Sequence, residues 1–141
     1  MNLLYQTQAV ATGGRTGKVA TADGAIALTL TTPPELGGSN GDGTNPEQLF
    51  AAGYAACFLS AIRFVAGRRK LVIAERSSVT AKVGIGMRDA GDGFDLDVQL
   101  QIYLPTIETR LANQLIEQAD LVCPYSHLTR NAAATRLSLV E

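Results

Sequence analysis

The sequence predicts an α+β domain with the element order β-β-β-α-β-β-α-β. Two patterns support this class: a long apolar segment behind a strong helix-start signal, and a later segment in which apolar and polar residues alternate. The chain has 141 residues, of which 46% are hydrophobic and 18% are charged. We therefore expect one domain over residues 1–141, with a sizeable core.

Charge and segment length narrow the class of protein further. The net charge of −1 gives no basic footprint for nucleic acid or for an anionic membrane. The N-terminus, MNLLYQTQAVATGG, lacks the basic start and apolar core of a signal peptide. The longest largely apolar run, 49–62, has 14 residues, fewer than the about 20 of a membrane span. We expect a soluble cytoplasmic protein with no nucleic-acid or membrane partner, whose two cysteines are reduced rather than structurally cross-linked.

Short strands and turns are predicted for the first third of the chain. Alternating residues over 5–9 and β-like runs at 17–21 and 26–32 indicate a meander, with GGRTG at 13–17 as a turn. A loop rich in glycine and proline follows at 33–46. Loops this long without structure of their own are often functional.

A helix is predicted from Pro46 to about Ala66 or Gly67. Asn45 can cap its first turn, proline fits the first helical position, and Thr44 with Glu47 matches the spacing of a capping box. Apolar residues fall on every side of this helix, so we expect it to be buried all round. Its many small residues would let another backbone approach closely.

A hairpin, a helix and a closing strand are predicted for the second half of the chain. Strands at 77–88 and 93–104 are joined by DAGDG, and the second of them has one apolar and one polar face. A helix follows Pro105 and ends near CPYS at 123–126. The segment TRLSLV, 135–140, is expected to form a last short strand.

Cys57 and Cys123 are the candidate groups for chemistry. Each of them, taken singly, can be a small hydrophobic core residue. Two cysteines and the single histidine, His127, are too few for a closed structural zinc site, which needs four N or S ligands. A Cys–His hydrolase and a redox pair, in which one thiol is oxidised and the other resolves it, both stay open, because only the fold decides proximity.

A redox role for Cys57 requires a nearby cation. Burial raises the pKa of a thiol above its ordinary value of about 8.5, and a helix-start dipole is largely lost beyond the first turn. Arg63 lies six residues further on, about 120° around the helix, and points away. Arg15, in the GGRTG turn, is the candidate cation. The alternative interpretation is that Arg15 is only a solvated turn residue.

Several motifs resemble the organic hydroperoxide resistance proteins, the Ohr branch of the OsmC/Ohr family. They are TNPEQLFAAGYAACF at 44–58 and VCPYS at 122–126, with ELGGSNGDGTNPEQ and GGRTG in support. The resemblance covers about residues 3–140. One departure is HLTRNAA after CPYS, where the family usually has an Asn-rich run, and it leaves the role of His127 and the local loop shape open.

The resemblance implies a thiol-dependent peroxidase that reduces alkyl or fatty-acid hydroperoxides to alcohols without a metal or organic cofactor. It implies that Cys57 is the peroxidatic cysteine and that Cys123 resolves it as an intramolecular disulfide. It also implies that Arg15 activates the thiolate and that Glu47 holds this arginine. The family further implies an intertwined homodimer that is re-reduced by a dithiol, typically of a lipoylated protein.

An apolar pocket around Cys57 would suit a hydrophobic hydroperoxide. Phe58, Leu49 and Phe50 are available to line it, although each of them can equally be plain core. Two competing functions use the same scaffold: a non-catalytic binder of small apolar ligands, and a cysteine hydrolase.

The spacing of Glu47 and Cys57 bears on how such a site is assembled. They are ten residues apart on one predicted helix, which corresponds to about 15 Å of rise. A glutamate cannot span this distance to a thiol, so it acts through a long arginine or from a second chain. We hypothesise that two chains pack their central helices together, and that the Arg15–Glu47 pair of one subunit completes the cysteine site of the other. The same-chain arrangement, with Arg15 bridging, stays open.

Overall fold

The computed structural model describes residues 1–39 and 41–131. Its elements, in chain order, are strands β1 (Ala9–Thr12), β2 (Lys18–Thr21) and β3 (Ala27–Thr29), helix α1 (Pro46–Arg68), strands β4 (Ser78–Met87) and β5 (Phe94–Tyr103), and helices α2 (Thr109–Val122) and α3 (Pro124–Asn131). This order confirms the predicted α+β class. The last predicted strand, 135–140, lies outside the described residues.

Two compact units make up the chain, the first spanning Met1–Phe50 and the second starting at Ala51. The single domain expected over 1–141 therefore stays a prediction. The first unit contains an antiparallel sheet in the order β1-β2-β3, in which Ala9 pairs with Thr21. This confirms the predicted meander, although its first strand is Ala9–Thr12 and not the predicted 5–9.

The third strand of the meander is shorter than the predicted 26–32. Leu30, only 6% exposed, leaves the ladder and forms an isolated parallel bridge with Thr44. The backbone N–H of Thr31 donates to the Thr44 carbonyl at 2.8 Å, and the N–H of Thr44 donates to the Thr29 carbonyl at 3.0 Å. The end of the sheet is thereby tied to the residues just before α1.

The start of α1 is where it was predicted, but its capping differs. The side-chain Oδ1 of Asn45 accepts the N–H of Gln48 at 2.9 Å, so Asn45 is the N-cap and Pro46 the first helical residue. The capping box expected between Thr44 and Glu47 is wrong. With Asn45 as the cap, the third helical position belongs to Gln48, and the Thr44 hydroxyl donates to its side chain at 2.8 Å.

The second unit contains the hairpin of β4 and β5, in which Ser78 lies opposite Tyr103 and Met87 opposite Phe94. Half-buried and exposed residues alternate along most of its length, which confirms the expected inner and outer faces. At the far end, Met87 and Phe94 are 69% and 59% exposed. A two-stranded hairpin is marginally stable on its own, so this end would gain from a cover.

The core of the second unit takes most of its side chains from α1 and α2. Ile62, Leu115 and Cys123 are fully buried. The carboxylate of Glu108 caps α2 by accepting the backbone N–H of Arg110 at 2.9 Å. Helix α2 ends at Val122, close to the predicted end.

One face of α1 is exposed in the single chain, so the expectation of burial on all sides is wrong for it. The buried residues lie on one side of the helix: Tyr54, Phe58, Ala61, Ile62, Val65 and Ala66. The exposed ones include four at four-residue spacing, which we call the α1 stripe: Ala52, Ala56, Ser60 and Phe64. The expectation failed because apolar residues on every side of a helix do not show which of these sides the same chain covers.

Helix α1 also bears on the prediction of no membrane span. In the part of the chain that the structure describes, it is the one helix long and apolar enough to cross a membrane by length and composition. The most apolar stretch of this helix is 33% buried within the chain. Core helices of soluble proteins meet the same criteria of length and composition. The expected absence of a span therefore stays a prediction.

Candidate active site

Cys123 is the single residue between α2 and α3. Its backbone N–H donates to the Ala119 carbonyl at 2.8 Å, and its own carbonyl accepts the N–H of His127 at 2.9 Å. It therefore closes α2 and opens α3, in which Pro124 takes the first position. Helix α3 was not predicted from the sequence. A proline directly after a possible cap residue was the signal that could have predicted it.

Cys57 on α1 and Cys123 bring their sulfur atoms to 3.6 Å from each other. Both are free thiols; Cys57 is half-buried and Cys123 is fully buried. A disulfide bond is about 2.05 Å long, so a contraction of about 1.5 Å would join the two sulfurs. The structure thus brings together the two cysteines that the sequence singled out.

Burial raises the pKa of the Cys57 thiol above its ordinary value, because the thiolate loses solvation. A hydrogen bond from the backbone N–H of Tyr125 to the sulfur opposes this rise, whereas the neighbouring Cys123 thiol adds to it. Tyr125 lies in the first turn of α3, whose N-terminal dipole also favours a thiolate. The role of the Tyr125 N–H was not predicted from the sequence, because α3 was not predicted.

One helical turn from the sulfurs, two hydroxyl groups meet. Tyr54 Oη and Ser126 Oγ are 2.8 Å apart, and the two residues are 6% and 2% exposed. The Tyr54 ring also lies edge-on to Phe58 at 6.4 Å and tilted against Tyr125 at 5.7 Å between ring centroids. The sequence analysis did not select this pair. The three-residue spacing of Tyr54 from Cys57, which places both on one helix face, was the available signal.

Gly53 makes room for Tyr125. A Cβ atom at position 53 would lie 2.9 Å from the Tyr125 hydroxyl oxygen and 3.3 Å from a carbon of its ring. Any side chain at position 53 would therefore force the tyrosine to shift. This small residue of α1 lets a side chain of α3 approach, rather than another backbone.

A pocket of about 370 Å³ opens beside Cys57. Its lining is mostly apolar: Cys57, Ser60, Ala61, Phe64, Val122 and Pro124. The Ser60 hydroxyl donates to the Ala56 carbonyl within the helix at 2.8 Å. Such a pocket suits a small hydrophobic group next to the sulfur.

The three residues predicted to line a pocket, Phe58, Leu49 and Phe50, are not part of this lining. Phe58 is 3% exposed and belongs to the core, while Leu49 and Phe50 are half-buried in the first unit. The helical repeat explains the difference. A residue seven positions after Cys57 returns to its face, as Phe64 does, whereas the next residue along is turned by about 100°.

In the first unit, Arg15 and Glu47 form a bidentate ion pair. Nη1 of the arginine donates to Oε2 at 2.8 Å, and Nη2 donates to Oε1 at 2.6 Å. The guanidinium holds the pKa of the Glu47 carboxyl below its usual range, and the carboxylate in turn raises the pKa of Arg15. Glu47 lies in the first turn of α1, where the helix dipole favours a negative charge. The resemblance implied that Glu47 holds Arg15, and the two side chains are in contact.

The turn that presents Arg15 depends on its glycines. Gly13 and Gly14 have φ angles of 71° and 58°, in the left-handed region. A Cβ atom at Gly17 would lie only 1.7 Å from the Thr12 carbonyl oxygen. The predicted turn is confirmed as a short 3₁₀ segment, Gly14–Thr16.

Comparison with known proteins identifies the family. A sequence model described as OsmC-like protein matches residues 38–138. The chain is 46% identical to an organic hydroperoxide resistance protein of Xanthomonas axonopodis pv. citri over 137 residues, which are 97% of this chain and 95% of that protein.

Solved structures agree with the sequence match. The crystal structure of an organic hydroperoxide resistance protein from Legionella pneumophila is 47% identical and superposes with a TM-score of 0.86, covering 92% of this chain and 93% of the other. Its counterpart from Elizabethkingia anophelis is 46% identical with a TM-score of 0.86, covering 93% and 92%. The chain therefore belongs to the OsmC-like protein family, in its organic hydroperoxide resistance branch.

Proposed function

We propose that the protein is a cysteine-based peroxidase that reduces organic hydroperoxides to alcohols. The main support is the 3.6 Å contact between the Cys57 and Cys123 sulfurs, beside an apolar pocket of about 370 Å³. Two thiols this close can give up two electrons as a disulfide. The relatives named as organic hydroperoxide resistance proteins support the same substrate class.

In the first step, the Cys57 thiolate attacks the terminal oxygen of the hydroperoxide. A sulfur–oxygen bond forms, the oxygen–oxygen bond breaks, and the departing alkoxide takes up a proton to become the alcohol. Sulfur is oxidised to a sulfenic acid by two electrons. Phe64 and Val122 would hold the alkyl part of the substrate, since both line the pocket.

In the second step, the Cys123 thiol attacks the sulfenic sulfur of Cys57. A sulfur–sulfur bond forms, the sulfur–oxygen bond breaks, and the hydroxyl leaves with the thiol proton as water. An external dithiol then exchanges with the disulfide and restores both thiols. We propose that this dithiol belongs to a lipoylated protein.

The Arg15–Glu47 pair is the proposed activating group. Burial raises the pKa of Cys57, so a cation near its sulfur would favour the thiolate and would also stabilise the alkoxide that leaves. The bidentate contact would keep the guanidinium in one orientation. Because ten residues of helix, about 15 Å of rise, separate Glu47 from Cys57, we propose that the pair serves the cysteines of a partner subunit.

A homodimer is the proposed assembly. The first two members of the α1 stripe, Ala52 and Ala56, offer small side chains at four-residue spacing that would let a second α1 approach closely, whereas Ser60 and Phe64 line the pocket. The exposed far end of the β4–β5 hairpin would gain from the same partner. We place this dimer in the cytoplasm, where free thiols stay reduced.

Stopped-flow oxidation of the fully reduced protein tests the proposed function. The protein should consume one equivalent of an alkyl hydroperoxide per chain and lose both thiols, and it should react more slowly with hydrogen peroxide. A non-catalytic binder of apolar ligands would lose no thiols. A cysteine hydrolase would form an acyl-enzyme from an activated ester and ignore the peroxide. Either of these results would overturn the proposal.

A further inference from the structure

A hydroxyl contact and a sulfur contact both join α1 to the segment 123–126, and they lie one helical turn apart. Tyr54 and Cys57 are three residues apart on α1, and Cys123 and Ser126 are three residues apart on the other segment. The outer residues meet through their hydroxyls at 2.8 Å, and the inner ones through their sulfurs at 3.6 Å. The two segments run in opposite directions in this register, so the hydroxyl contact stands next to the sulfur contact.

The hydroxyl contact is held in place by its surroundings. Tyr54 and Ser126 are nearly fully buried, so separating them would break a hydrogen bond inside the core. The Tyr54 ring packs against that of Tyr125, for which Gly53 leaves space. The first turn of α3 therefore has one well-defined position on α1.

A second link fixes the other end of α3. The side chain of Arg130 pairs with the carboxylate of Asp120, and its Nη2 also donates to the Asp120 carbonyl at 2.9 Å. This link ties α3 to α2 and does not involve α1. The hydrogen bond between Tyr54 and Ser126 thus contributes a link from α3 to α1 that the Arg130–Asp120 pair does not.

We propose that Tyr54 and Ser126 are positioning residues that hold the Cys123 sulfur within reach of Cys57 for disulfide formation. The inference rests on the peroxidase function proposed above. In that cycle the two sulfurs close from 3.6 Å to the about 2.05 Å of a disulfide while water leaves the sulfenic acid. The hydroxyls act through the backbone that connects Ser126 to Cys123, not on the reacting atoms.

The same contact has a second consequence. The backbone N–H of Tyr125, which donates to the Cys57 sulfur, lies one residue before Ser126. Loosening Ser126 from Tyr54 would weaken this donor as well. The loss would disfavour the thiolate and move the pH dependence of Cys57 oxidation to higher pH.

The variant Tyr54→Phe tests the proposal, because it removes the hydroxyl and keeps the ring. After one equivalent of an alkyl hydroperoxide, sulfenic acid is trapped with a 1,3-dione for mass spectrometry, and disulfide formation is followed by stopped flow. We expect disulfide formation to slow by about three- to tenfold, the usual effect of one lost hydrogen bond, and sulfenic acid to accumulate. Oxidation of Cys57 should slow less, and its pH profile should shift upward.

Three further variants make the test decisive. Tyr103→Phe, which alters a tyrosine that is 53% exposed, should leave both rates unchanged. Ser126→Ala should match Tyr54→Phe, and the double variant should be no slower than either single one, as expected for one shared contact.

Equal disulfide rates in the wild type and both single variants would overturn the positioning role, even if their melting temperatures fell. A wild-type protein that loses no thiols to peroxide would instead refute the proposed function, and the positioning role would fall with it. The two failures are therefore distinguishable, because the second is already visible in the wild type.

Discussion

Arg15 and Glu47 are joined by two parallel hydrogen bonds across 32 residues of sequence. Their side chains are 36% and 14% exposed, so solvent screens the contact only in part. The pair ties the glycine-rich turn to the first turn of α1. The link between that turn and the helix therefore depends on the charge of one carboxylate.

The ion pair should persist at neutral pH and break only in acid. The hydrogen bonds from Arg15 lower the pKa of Glu47, so its folded value lies below the unfolded value of about 4.3. The stability that the pair contributes is thus present above the unfolded pKa and is lost as the pH falls through the folded pKa. An NMR titration of the Glu47 side chain measures the midpoint, which Arg15→Ala should raise. An unchanged midpoint in that variant would contradict the pairing.

The two cysteines should have separable roles. Cys57→Ser should abolish peroxide reduction and leave the fold intact, because serine is nearly isosteric but lacks the nucleophilic thiolate. Cys123→Ser should reduce one equivalent and then stall as a sulfenic acid that over-oxidises, which mass spectrometry detects. An unmodified Cys57 in the second variant would contradict the resolving role. Full activity of the first variant, with loss in the second, would reverse the assignment.

Two glycines of α1 should respond in opposite ways to alanine. Gly53→Ala should destabilise the protein by about 1–3 kcal/mol, because the new Cβ would meet Tyr125 at 2.9 Å. Gly67→Ala is the matched control, since nothing lies within 4 Å of its Cβ position, and it should stabilise by about 0.5–1 kcal/mol. Denaturant unfolding measures both changes. Equal stabilities would show that Tyr125 is not held against the helix.

The pocket beside Cys57 should favour apolar substrates through Phe64. Phe64→Ala should lower kcat/KM for a long-chain hydroperoxide by about three- to tenfold, mainly by raising KM, because it removes apolar contact with the substrate. Val72→Ala, at a residue 85% exposed and outside the pocket lining, is the control. An equal fall with hydrogen peroxide would argue against a binding role for the ring.

Mixing two inactive variants should reveal whether the site is shared between subunits. In a heterodimer of Cys57→Ser and Arg15→Ala chains, a shared arrangement gives one site with both changes and one with neither. Peroxidase activity should then partly return under conditions that exchange subunits. No recovery despite demonstrated exchange would assign the arginine and the cysteines to the same chain.

Features set by neighbouring residues were predictable from sequence. The start of α1 follows from Asn45 and Pro46, and the β4–β5 hairpin from its alternating pattern and its turn. Helix α3 was missed because it has only eight residues, most of them polar, and its placement depends on tertiary contacts.

Features of the candidate site depend on contacts between distant residues. The sulfurs of Cys57 and Cys123 meet across 66 residues, a distance in sequence that says nothing about distance in space. The motif resemblance pointed to these cysteines where spacing alone could not. The pocket lining could have been found, because a seven-residue step from Cys57 leads to Phe64 on the same helix face.

The backbone at Cys123 bears on how the two sulfurs can close. With φ of −67° and ψ of 120°, Cys123 is extended between two helices, and its N–H and carbonyl are bonded to Ala119 and His127. Rotation about its Cα–Cβ bond moves the sulfur while both of these hydrogen bonds stay intact. The about 1.5 Å of closure that a disulfide requires is small on this scale. In the proposed cycle, disulfide formation therefore requires neither helix to unfold.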